Sequence, residues 1–194
     1  LGIGGWMAYD AEYVEKNKYG DCKALTWFMN SMLKELEIPS YPALVMAGEE
    51  YGGTTHPEDF SYPSFNHVIL NVPSENLWLE CTQNHIPTGY LGDFTDNRSV
   101  LLISEEGGKL SKTPVISPEK NLGKTKTSII LTEKGGATVA CHSVLTGPKH
   151  DLYRAFHHYY SKEDFEKWFL EAAYFPSFNI EKSRLILFTA FIKI

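Results

Sequence analysis

One helical stripe with hard stops at both ends constrains this chain more than any other feature. Between residues 22 and 36, Leu25, Phe28, Met29, Met32, Leu33 and Leu36 recur at i, i+3, i+4, i+7 spacing, which puts them on one face of an α-helix. Asp21 is a good N-cap, Gly20 permits a tight entry, and Pro39 blocks continuation. Cys22 opens the helix three residues before Leu25, so it belongs to the inward face.

Short apolar runs follow, which makes the expected class α+β. Residues 42–47 read as a strand, and 48–63 as a loop punctuated by Gly52, Gly53 and Pro57. Residues 65–72 and 77–82 read as two strands joined at Pro73-Ser-Glu-Asn76. Residues 89–97 are turn-rich, 100–104 a short strand and 105–108 a turn. Composition shifts near Thr113, so the chain divides into 1–114 and 115–194. In the second part, 126–131 and 138–145 form a hairpin around Lys134-Gly-Gly136. A helix over 162–173 is capped by Ser161 with Asp164, and 178–194 is strand-like.

The charge pattern narrows the partners. With 18 basic against 24 acidic residues and a formal charge of −6, there is no basic stripe to neutralise phosphates, so a nucleic-acid partner is not expected. The longest apolar run, 185–194, is about half of what a membrane helix needs. Leu1 opens the chain without a charged and apolar leader, which reads as a fragment or processed form.

Three residues carry chemistry when taken together. An ordinary thiol is only about 3% thiolate at pH 7. A helix N-terminus, with its unpaired N–H groups, favours the thiolate of Cys22, and a nearby imidazolium favours it further. With Val72 and Leu77 flanking an even-numbered turn, Ile69 opposes Glu80 and His67 opposes Thr82. His67 and Glu80 are then diagonal neighbours on one face, roughly 7–8 Å apart at the backbone. A carboxylate there can fix the tautomer of His67 and stabilise its imidazolium.

Each residue also has a plainer reading. A lone helical Cys is usually a small core residue, and a strand His is usually hydrogen-bonded packing. A Glu in an apolar strand is harder to dismiss, because carboxylates are rarely buried without a partner. Cys81 and His85, with His56 and His67 upstream, lack a second closely spaced ligand pair, and Cys81 should point away from Glu80. No metal or cofactor is expected. Gln83 and Asn84 either line a cleft or cap a turn, and Asp93 and Asp96 read as caps or turn residues. His142, His150, His157 and His158 read as solvated surface. Cys81 and Cys141 remain available to pair with each other.

The motifs Tyr19-Gly-Asp-Cys-Lys-Ala24, Phe65-Asn-His-Val68 and Trp78-Leu-Glu-Cys-Thr82 occur in that order. Together they resemble the transglutaminase-like superfamily of bacterial proteins. The likeness runs from about Gly2 to Pro114 and takes in Leu1-Gly-Ile-Gly-Gly-Trp6 and Gly89-Tyr-Leu-Gly-Asp-Phe-Thr-Asp96. It implies a papain/transglutaminase-like core, with a nucleophile helix packed on an antiparallel sheet, followed by part of a β-rich domain. It implies catalytic roles for Cys22 as nucleophile, His67 as base and Glu80 as orienting acid. Most of the superfamily carries Asp where Glu80 stands, and relatives often place a polar residue at Met7. Trp6 and the Cys22 amide are the oxyanion candidates, and Gln83 is a candidate for the substrate cleft.

The implied activity is thiol-dependent acyl transfer on peptide or amide bonds, as a cysteine protease or amidase. Protein-glutamine crosslinking or transamidation is one alternative, and a non-catalytic binding or assembly domain of an envelope protein is the other. The implied partners are a peptide or protein substrate and flanking domains of a longer polypeptide. The implied location is periplasmic or cell-surface.

Overall fold

The structure, a computed structural model, describes residues 5, 7–48, 65–172, 178–184 and 186. It divides into two units, Leu1–Ile116 and Ser117–Ile194. The expected loop over 48–63, Trp6 and His56 lie almost wholly outside the described residues, with only Gly48 inside them.

The first unit opens with helix α1, Ala11–Asn17, capped where Asp10 accepts the Tyr13 amide at 2.7 Å. Only Val14 of this helix is buried, so no apolar stripe advertised it. Helix α2 spans Cys22–Glu35, close to the span its stripe predicted, but the residues it buries are Ala24 and Thr26, while Met32 and Leu36 of the stripe are exposed. Asp21 caps it by accepting the Ala24 amide at 2.9 Å. At the far end the Ile38 and Glu37 amides donate back to Leu33 and Lys34 at 2.9 and 3.0 Å. Glu37 takes the left-handed conformation this arrangement needs, at φ 58°.

Five strands follow: β1 Tyr41–Val45, β2 His67–Val72, β3 Leu77–Leu79, β4 Ser99–Ser104 and β5 Gly107–Lys112. They form one sheet in the order β3-β2-β1-β4-β5, with every neighbouring pair antiparallel. The α+β class is therefore correct for this unit. Between β3 and β4 lies a single helical turn, α3 Gly92–Thr95. The expected turn at 105–108 is tighter than the sequence suggested. Ser104 already pairs with Gly107, and Gly107–Lys112 runs on as β5. With Leu110 its one large apolar residue, this edge strand shows little alternation.

β2 is buried along its whole length, flanked by β1 and β3 and packed against α2. One face of the sheet carries the core: Ala43, Val45, Ile69, Trp78, Leu91 and Val100, with Phe94 and Leu102 packed against them. Beside it sits Arg98, 2% exposed. Its guanidinium donates to the carbonyls of Met46, Gly48, Asp93 and Asp96 at 2.6–3.1 Å. Those four bonds tie the segment after β1 to α3.

In the second unit, β6 Gly123–Leu131 and β7 Ala137–Leu145 pair in register from Gly123↔Leu145 to Leu131↔Ala137. A 3-10 turn leads to α4, Asp151–Tyr159, and then α5, Lys162–Ala172. Gly147 is required at the entry: it has φ +62°, and a Cβ there would lie 2.7 Å from the Lys120 carbonyl. Ser161 and Asp164 form the expected reciprocal cap of α5. Tyr153, Phe156, Phe165 and Trp168 meet edge-on or tilted between the two helices. Where a β-rich domain was expected, the described residues therefore give one hairpin and two helices. No strand is seen in 178–184 or at 186, and the rest of the strand-like tail lies outside the described residues. No helix among the described residues is long and apolar enough to cross a membrane.

Candidate active site

The site is assembled where β3 leaves β2. The ladder between them ends at Leu70↔Leu79, so the free edge of β2 needs new partners for its backbone. Helix α2 supplies them. Thr26, fully buried, donates to the Val68 carbonyl at 3.1 Å. One turn earlier, the Cys22 sulfur faces the Val68 amide and the His67 side chain. Residues i and i+4 of one helix thus satisfy both polar groups of one strand residue. Gly20 makes the close entry possible, since a Cβ there would lie 2.9 Å from that of Ala24.

Glu80 is the first residue past the end of the ladder, and its carboxylate turns to His67. Glu80 Oε2 lies 2.9 Å from His67 Nε2, with the carboxylate side chain fully buried and that of His67 8% exposed. This leaves Nδ1 as the ring nitrogen for Cys22. Glu80 Oε1 accepts two further bonds, from the Thr82 amide at 3.0 Å and the Thr82 hydroxyl at 2.5 Å. Phe94 closes the other side of the imidazole edge-on, at 5.3 Å between ring centres.

The electrostatics follow from this geometry. Burial alone would raise the Cys22 thiol, but the hydrogen bond and charge of His67, then Lys23 and the Val68 amide, outweigh it and hold the thiol below its ordinary range. Burial would lower His67, yet its bonds to Cys22 and Glu80 raise it to about 9. Burial likewise works against an ionised Glu80, and His67 and Thr82 together bring it below the usual carboxylate range. The three groups therefore favour thiolate, imidazolium and carboxylate in a row.

Cys22, His67 and Glu80 are thus together, at the N-terminus of α2, the start of β2 and the end of β3. Gln83 lies beyond Glu80 and, with Asn84, lines a cavity rather than only capping a turn. Trp6 is outside the described residues, and Met7 is 80% exposed. Cys22, Cys81 and Cys141 are all free thiols. Burial pushes Cys81 up to about 11, against a bond from Thr26. No group of three or more His, Cys, Asp or Glu among the described residues is arranged to hold a metal ion. His150 is not the solvated residue its sequence suggested. It pairs with Asp151 at 3.0 Å and meets Arg154, a buried residue, at 3.0 Å.

Sequence reasoning did not find Thr26, Thr82, Phe94 or Arg98. Thr82 had a signal, since it was expected opposite His67. Phe94 lies within a motif quoted for the family resemblance, but Arg98 left no trace in the pattern. Compared with known proteins, the chain matches no family model, and no characterised protein or solved structure is significantly similar to it.

Proposed function

We propose that the first unit is a thiol-dependent acyl-transfer domain with a papain- and transglutaminase-like core, acting as a cysteine protease or amidase on peptide or amide bonds. The observation that carries this reading is the buried 2.9 Å contact of Glu80 with a His67 that also meets Cys22. A buried acid, an imidazole and a thiol in that order at a helix N-terminus have the form needed for nucleophilic catalysis.

The chemistry proceeds in two halves. The Cys22 thiolate attacks the carbonyl carbon, forming a C–S bond while the oxygen takes the negative charge. The Cys22 amide, at the start of α2, is the candidate donor to that oxygen. His67 gives its proton to the nitrogen as the C–N bond breaks, and the amine leaves. Water then attacks the thioester, His67 takes its proton, and the C–S bond breaks to give the acid and free thiolate. Glu80 stays ionised throughout and holds the ring.

The expected pH dependence has two limbs. Activity rises as Cys22 ionises, at a pH below that of an ordinary thiol. It falls through about pH 9 as His67 loses the proton that the leaving amine requires. The test is to mix the protein with activated esters and peptide amides and to look for acylated Cys22 by mass spectrometry. A thioester on Cys22 that decays to acid is expected, and its absence in both Cys22→Ala and His67→Ala. Decay only in the presence of a primary amine assigns transamidation instead. No acylation of the folded protein refutes the reading.

A further inference from the structure

Between α2 and the segment that follows β3 lies a cavity of about 240 Å³. Met29 from α2, Ile86 and Pro87 supply apolar lining. Gln83, Asn84 and Thr88 add neutral polar groups. Glu80 and Cys81 join it to the strand end that serves the site.

Three observations define what fits. The volume exceeds that of a cavity able to hold benzene, about 150 Å³, and falls short of the roughly 300–1,000 Å³ typical of drug-sized ligands. It suits one side chain. Among the described residues the lining offers no free charge, because the Glu80 carboxylate is fully buried and bonded to His67 and Thr82, while burial keeps the Cys81 thiol neutral. A charged guest would lose its hydration without a partner. Finally, Cys22 and Met29 are seven residues apart on α2, or about 10.5 Å along the axis. An extended peptide covers that distance in about three residues.

We propose that this cavity receives an uncharged side chain of a peptide substrate, about three residues along from the carbonyl that Cys22 attacks. The inference rests on the acyl-transfer reading for its register and on the cavity alone for its selectivity. It assigns Gln83 and Thr88 as specificity-determining residues.

The two parts separate in one experiment. A library of capped octapeptides, each with one varied side chain, is titrated against the full chain carrying Cys22→Ala. Peptides with Leu, Met, Phe or Gln at the varied position are expected to bind at least about tenfold more tightly than those with Lys or Glu. Adding Gln83→Glu should remove the discrimination against Lys, and Thr88→Trp at the rim should weaken the large side chains selectively. Equal affinity across the library, or discrimination untouched by both substitutions, overturns the proposal. The same peptides are then given to the unmodified protein. Cleavage about three residues from the favoured side chain supports the register. Selective binding without turnover keeps the pocket and removes the acyl-transfer reading.

Discussion

Glu80 has no exposed side-chain surface, and a carboxylate so placed stays ionised only while donors occupy its oxygens. His67 serves one oxygen and Thr82 the other, which makes Thr82 a positioning residue for Glu80 and, through it, for the proposed triad. Removing only the hydroxyl, with Thr82→Val, withdraws one bond to a charged acceptor, an effect of about 1.5 kcal/mol or more. The sign is that Glu80 holds a proton more readily and His67 is then left without its counter-charge at low pH. Alkylation of Cys22 at pH 5 should fall by at most about fivefold, with little loss at pH 7.5, and Thr82→Ser should restore it. Equal loss at both pH values would reduce Thr82 to a structural role. Cys22, His67 and Glu80 were legible in the sequence because each conflicts with its surroundings: a thiol at a helix start, and ionisable groups in apolar strands. Thr26, Phe94 and Arg98 create no such conflict until long-range contacts bury them.

At the level of elements, what could be read depended on whether a segment shows an apolar pattern. The helical period of α2 and the apolar run of β2 gave their positions almost to the residue, although α2 buries Ala24 and Thr26 rather than its stripe. α1 buries one side chain, and β5 lies mostly exposed at the sheet edge, so neither had a face to show. α4 turns Tyr153 and Phe156 toward the α5 aromatics and also buries Arg154, which breaks the apolar period that would have marked it. The end of α2 carries a testable strain. Glu37 holds φ 58° where Gly is the usual residue, and the left-handed state costs a side-chain-bearing residue about 1–2 kcal/mol. Part of that is offset by the extra freedom of glycine in the unfolded chain. Glu37→Gly should therefore raise stability by about 0.5–1 kcal/mol, read as a higher urea midpoint at unchanged m-value. A lower midpoint would mean that the carboxylate contributes something the backbone does not reveal.

Across the molecule, order is unevenly distributed between the two units. β2 is buried throughout, whereas β6 is exposed along its length, with Ile129 at 61% and Leu131 at 78%. A two-stranded hairpin without a covered face is marginal in water, and local opening follows burial. Native-state hydrogen exchange should therefore show β2 amides protected to near the global limit, and β6 and β7 amides exchanging at least about a hundredfold faster. Equal protection would show that something covers the hairpin in solution.

All of this turns on one electrostatic arrangement, in which a buried acid holds a cationic imidazole against an anionic sulfur. The direct measurement is the rate of Cys22 modification by a thiol-reactive probe from pH 5 to 8, mapped by mass spectrometry, in the unmodified protein and in His67→Ala. At pH 6 Cys22 is expected to react at least about tenfold faster than a thiol in the unfolded chain, and His67→Ala to abolish this advantage. A Cys22 that reacts no faster than the unfolded thiol, or equally fast without His67, would contradict that arrangement.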